Sequence, residues 1–170
     1  MQDPAADSTP AYVFGSFGPV VLGSWRDRAS LEGVASFRRT CEAVRRRFGK
    51  LAILATAEAF APPPDAAGRA AIAAAFREVD GVSLGAAFLI EGEGFRASML
   101  RSITTGLFFV AGRQQKAQVL STALEAAEWV CGRLVEGGVL LSFDAAVLAG
   151  QLGQLREMPV QNQTMGRVSR

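Results

Sequence analysis

The sequence predicts an α/β domain: a four- to five-stranded, mostly parallel sheet with about four crossover helices, plus a short C-terminal helix. Three observations carry this. Short, nearly continuous apolar runs, such as Leu51-Ala52-Ile53-Leu54-Ala55 and the stretch from Leu84 to Ile90, suit strands covered on both faces. They alternate with longer segments in which apolar residues recur every three or four positions, as on a helix with one buried side. Gly and Pro mark the junctions. Strands separated by helices of this length pair in parallel, through crossovers of one hand.

Residues 1–10 read as a flexible arm, polar and proline-containing with little to bury. Tyr12 to Phe17 and Pro19 to Trp25 are aromatic and β-branched, split by Gly18, and read as a β-hairpin or two adjacent short strands. Ser30 suits a helix N-cap, followed by Leu31, Val34, Phe37, Cys41, Val44 and Phe48 at helical spacing, with Gly49 as the stop. Lys50 to Thr56 is the next strand. Asp65 caps a helix from Ala66 to Val79, and Ser83 to Ile90 is a further buried strand. Phe95 to Val110 is a helix with Phe95, Met99, Ile103, Leu107 and Val110 on its apolar side. Gln118 to Ser121 is a short last strand. Thr122 caps a helix to Glu136, with Leu124, Ala127, Cys131, Leu134 and Val135 inward. Residues 11–138 therefore form the domain. Residues 139–158 form a helical extension, Phe143 to Arg156, with Val147, Leu148, Leu152 and Leu155 ready to dock on the domain, on a partner or on a second copy. Residues 159–170 read as a flexible tail.

Composition excludes several activities. Histidine is absent, so this chain holds no Ser-His or Cys-His pair, no imidazole base and no His metal ligand. The 18 basic and 16 acidic residues leave a net charge of +2, too small to point to nucleic acid. Only Lys50 and Lys116 are lysines, and an arginine- and alanine-rich chain fits a GC-rich bacterial genome. Cys41 and Cys131 stand 90 positions apart in apolar helical patterns, as buried free thiols do. The acidic start Met1 to Asp7 is no signal peptide, and the longest near-apolar stretch, Ile103 to Ala111, is far short of the ~20 residues of a membrane span. A soluble, cytoplasmic protein without a transmembrane segment is expected, with no cofactor, no metal and no enzymatic activity.

The order strand, strand, helix, strand, helix, strand, helix, strand, helix covers Ala11 to Gly138. Local cues are Lys50-Leu51-Ala52-Ile53-Leu54, the proline-led entry to the second helix, the Gly94-Phe95-Arg96 helix start, and Ser121-Thr122-Ala123-Leu124-Glu125-Ala126-Ala127 followed by Trp129. This pattern resembles the STAS domain, the fold of bacterial anti-sigma-factor antagonists, and its looser SpoIIAA-like and STAS/SEC14-like relatives. The resemblance implies a non-enzymatic regulatory or scaffolding module that acts by protein–protein interaction. The looser relatives imply an alternative, a small-molecule-binding domain for a lipid or a phosphorylated metabolite. Regulatory members carry an Asp-Ser-Ser/Thr-Gly-type motif after the third strand. Here that stretch, Thr56 to Asp65, holds no serine, and its one threonine ends the strand. The resemblance therefore implies a module without the family's phosphorylation switch.

The densest charge feature is a basic stripe on the first helix: Arg38, Arg39, Arg45 and Arg46. It is the expected partner-binding surface, suited to an acidic protein, and Glu42 can absorb part of it through helical ion pairs. The Gly92-Glu93-Gly94-Phe95-Arg96 turn precedes a helix, so Gly94, Arg96 and Arg101 are candidates for anion binding, although no P-loop or dinucleotide fingerprint is present. Glu58 and Glu91 follow adjacent strands and can meet at one sheet edge; with Glu93 they are a weak acid–base or metal signal. Trp25 and Trp129 read as core or subunit-contact residues, which keeps a homodimer open. Ser102, Thr104 and Thr105 could line a groove beside Arg101.

Overall fold

The structure is a computed structural model and describes residues 6–58, 60–112 and 116–160. Its strands are β1 (Asp7–Ser8), β2 (Tyr12–Phe17), β3 (Val20–Trp25), β4 (Leu51–Ala57), β5 (Ser83–Leu89) and β6 (Ala117–Leu120). Its helices are α1 (Leu31–Phe48), α2 (Ala66–Glu78), α3 (Gly94–Val110), α4 (Ala123–Glu136) and α5 (Ala145–Arg156). The strands form one mixed sheet in the order β1-β2-β3-β4-β5-β6. β1, β2 and β3 are antiparallel neighbours, and β3 to β6 are parallel.

The sheet has six strands where four or five were expected. The addition is β1, inside the segment read as an arm, paired Asp7↔Phe14 and Ser8↔Val13. Polar contacts reinforce it: Arg26 donates to Ser8 Oγ at 3.1 Å and to the Thr9 carbonyl at 2.9 Å. The Asp7 carboxylate accepts from Ser36 and Arg39. A pattern search for apolar runs does not see such a strand. Residues 1–5 and 161–170, the outer parts of the expected arm and tail, lie outside the described residues.

Helix starts follow local chemistry. Ser30, Asp65, Thr122 and Asp144 each accept a bond from the N–H three residues on, satisfying an otherwise orphaned donor. α3 lacks this, since Glu93 makes no side-chain cap bond.

Sequential strand order decides the layering. Right-handed crossovers that always step in the same direction place their helices on the same face. α1 and α2 accordingly share one core with Tyr12, Phe14, Val21, Trp25, Leu51 and Ile53, which Phe108 of α3 completes. The opposite face, with Val13, Val20, Leu22, Ala52, Leu54 and Leu89, is covered by α4 and α5. α5 packs on β2 and β3 through Leu148, Leu152 and Leu155, all almost fully buried. The C-terminal extension thus docks on its own domain.

Several residues expected inward lie outward. Leu31, Phe48, Leu124, Val135 and Val147 are exposed, because their helices extend past the sheet or turn their flank to solvent. On α3 the buried side carries Ala97, Leu100 and Phe108, while Phe95 and Val110 are exposed. This helix is apolar on most sides, so spacing alone does not choose the inward one. Among the described residues, no helix is long and apolar enough to cross a membrane.

Candidate functional site

The first core is incompletely filled. Side chains of β4 alternate between faces, so Leu51, Ile53, Ala55 and Ala57 point to the α1–α3 side. They shrink toward the carboxyl end of the strand. Above Ala55 and Ala57 lies an apolar cavity of about 70 Å³. Phe14, Trp25, Ile53 and Phe88 line it from the sheet, with Ile90 just past the end of β5. Val34 and Phe37 of α1, Ile72 and Phe76 of α2, and Leu100, Ile103, Leu107 and Phe108 of α3 line it from the helices. Ala61, Pro62 and Pro64 close the rim. In open α/β sheets, ligands bind at the carboxyl ends of the strands, where this cavity lies.

Aromatic packing sets its walls. Phe14 meets Trp25 edge-on at 5.0 Å between centroids, and the contact chain continues through Phe37, Phe76 and Phe108 at 5.8, 5.7 and 5.5 Å. Two glycines allow this. A Cβ on Gly23 would meet the Phe14 ring at 2.5 Å, and one on Gly33 would run into Trp25.

The lining is almost free of polar groups. Among the described residues, Asp27, Thr104 and the Trp25 indole are its only side chains with a polar group, and no cation lines it. Arg96 lies 5.9 Å from the Phe60 ring centroid and donates to the Ala61 carbonyl at 3.5 Å, tying the start of α3 to the Phe60–Pro64 loop.

On the other face, the strand ends carry an ion network. Arg156 of α5 grips both oxygens of Glu58 at 3.0 and 3.1 Å and reaches Glu91 at 2.9 Å. Ser24 donates to Glu58 at 2.9 Å. The hydrogen bonds from Arg156, joined by the one from Ser24, outweigh burial and hold the Glu58 carboxyl below the usual range. Arg26 donates to the carbonyls of Arg156 and Met158, so one arginine fastens both β1 and the end of α5. Glu58 and Glu91 do meet at one edge, but bridged by Arg156, whose single positive charge offsets one of their two negative charges. Arg156 is nearly 100 residues from Glu58 in the chain, so spacing gave no signal of this partner. No group of His, Cys, Asp and Glu that could hold a metal occurs among the described residues.

Arg38 pairs with Glu78, Arg39 with Asp7, and Arg45 and Arg46 share Glu42, so each stripe arginine has an acidic partner within the chain. Arg101 donates to the carbonyls of Ile90 and Gly92 at 3.0 and 2.6 Å, clamping the loop that carries Gly94. Gly94 opens α3 with φ 86°, and Glu93 at the N-cap is exposed. Ser102 and Thr105 face solvent, and of the three hydroxyl residues only Thr104 lines the cavity. Thr56 is fully buried and donates to the Leu89 carbonyl at 2.9 Å, where a kinase has no access. Trp25 belongs to the core, and Trp129 packs half-buried under Arg133. Cys41 is buried and Cys131 half-buried, both free thiols.

The cavity was missed by sequence reading. The available signal was the size gradient along β4 facing large aromatics, which becomes meaningful only once the face assignment is known. Comparison with family models, with curated proteins and with solved structures finds no match.

Proposed function

We propose that this domain binds a small apolar molecule between the sheet and helices α1 to α3, without catalysing a reaction on it. The observation that carries this reading is the aromatic-lined cavity at the carboxyl ends of β4 and β5. Apolar cavities remain dry and accept apolar guests; one of ~150 Å³ takes benzene. At about 70 Å³ this one needs some outward movement of a wall to seat a ring. α3 is the wall that can yield, because it buries only Ala97, Leu100 and Phe108 and lacks a side-chain cap. The reading agrees with the alternative implied by the STAS/SEC14-like resemblance, restricted to its apolar ligands.

Titration with indole, followed by amide NMR, tests it. Shifts confined to β4, β5, α2 and α3, and lost in Ala55→Leu, are expected. Shifts scattered over the surface, or unchanged in Ala55→Leu, would contradict it.

A second reading is a regulatory or scaffolding module that binds another protein, without a phosphorylation switch. The outer side of α3 favours it: Phe95, Ser98, Ser102, Thr105, Gly106, Phe109 and Val110 are exposed and uncharged. The arginine stripe supports it less, since a partner would have to displace intramolecular carboxylates. A pull-down comparing wild type with Phe95→Ser/Phe109→Ser and with the four stripe arginines changed to alanine separates these surfaces. Loss of one defined partner in either variant supports this reading, and identical captures argue against it.

A further inference from the structure

The ligand's polar end is also constrained. Resting on the cavity reading above, we propose that the ligand is an apolar amine, with its hydrophobic body among the aromatic rings and its ammonium at Asp27.

Among the described residues, Asp27 is the only charged side chain lining the cavity. It is exposed, separated from the end of β3 by Arg26 alone, and its backbone N–H donates to the Ala11 carbonyl at 3.0 Å, which fixes its position at the rim. One carboxylate oxygen accepts from the Arg28 N–H at 2.7 Å; the other has no partner among the described residues. Six aromatic rings line the same space: Phe14, Trp25, Phe37, Phe76, Phe88 and Phe108. Ring faces carry negative potential, so aromatic walls beside a carboxylate favour a cation and oppose an anion.

The nearby cations do not reverse this. Arg26 and Arg156 are engaged with carbonyls and carboxylates. Arg101 holds the β5–α3 loop, and Arg96 lies against Phe60 and the Ala61 carbonyl. Arg28 is exposed and does not line the cavity. The N-termini of α1 and α2, which would favour an anion, each have an N–H bonded to Ser30 or Asp65. The uncapped start of α3 is the one rival, and it favours a carboxylate or phosphate.

Three probes with one ring and a short tether decide the matter: phenethylamine, phenethyl alcohol and hydrocinnamate. Their Kd values are measured by NMR titration at neutral pH on wild type, Asp27→Asn, Ala55→Leu and Ala57→Leu. The proposal expects the order amine, alcohol, carboxylate from tightest to weakest. Asp27→Asn should weaken the amine about fivefold, the upper end for a rim ion pair, and leave the alcohol within about twofold. Loss of all binding in whichever of the two cavity-filling variants folds places the probes in the cavity. If binding is lost there but hydrocinnamate equals or exceeds the amine, or Asp27→Asn changes nothing, the amine assignment falls and the cavity reading stands. If wild type binds none of the probes, or the cavity-filling variants bind them unchanged, both fall.

Discussion

Two side chains illustrate how burial and partners set behaviour. Burial pushes the Cys41 thiol up to about 12, leaving almost no thiolate at pH 8. Under a thiol reagent at pH 8, Cys41 should stay unmodified until the protein unfolds, while half-buried Cys131 reacts slowly. Mass spectrometry of the digested protein reads this, and rapid native labelling of Cys41 would contradict its placement. The second side chain is Glu58. Its carboxyl is held below its usual value of 4.5, mainly by hydrogen bonds from Arg156, so the folded state favours its charged form. That contribution is fully present above pH 4.5 and is lost as pH falls through the lower folded-state value. Glu58→Gln should flatten this part of the acid-unfolding curve. Arg156→Ala should cost about 1–3 kcal/mol in urea unfolding at neutral pH, as it leaves Glu58 and Glu91 without their shared cation. Identical curves for wild type and Glu58→Gln would show that the pair contributes nothing.

At the level of elements, α3 differs from its neighbours. It has 17 residues, of which Ala97, Leu100 and Phe108 are buried, whereas α1 buries six of 18 and carries a Ser30 cap. Backbone amides of α3 should therefore exchange with deuterium faster than those of α1, and an apolar ligand should slow them. Equal protection in the two helices would argue against α3 as the yielding wall. The same helix shows where sequence reading reached its limit. Ser30, Asp65 and Thr122 mark their helix starts because capping is local chemistry. The strand from Leu51 was legible because both its faces are covered. The buried side of α3 was not, since several of its sides are apolar and the sheet's position decides among them. β1 was not, since polar groups from Arg26, Ser36 and Arg39 reinforce it. The Glu58–Arg156 contact joins residues almost 100 positions apart, beyond any local pattern.

In the whole molecule, the two faces of the sheet depend on different parts of the chain. The crossovers cover one face unaided. The other face relies on α4 and α5: α4 packs on β4 to β6, and α5 packs on β2 and β3, which carry Val13, Val20 and Leu22. A chain ending at Gly138 should expose that surface and aggregate or lose its cooperative transition, seen by size-exclusion chromatography and circular dichroism. A monomeric, cooperatively folding truncation would show that α5 is dispensable. The cavity belongs to this scale as well, because four strands, three helices and a proline-rich loop each supply part of its wall.

The most direct test of the ligand-binding account is a crystal of the protein soaked with bromobenzene, a neutral probe whose bromine is located by anomalous scattering. The account predicts one principal bromine position among Ala55, Phe76, Phe88 and Leu107, with α3 shifted outward and the site lost in Ala55→Leu. An empty cavity beside bromine sites scattered over the exposed faces of α3 and the Phe60 loop would contradict it.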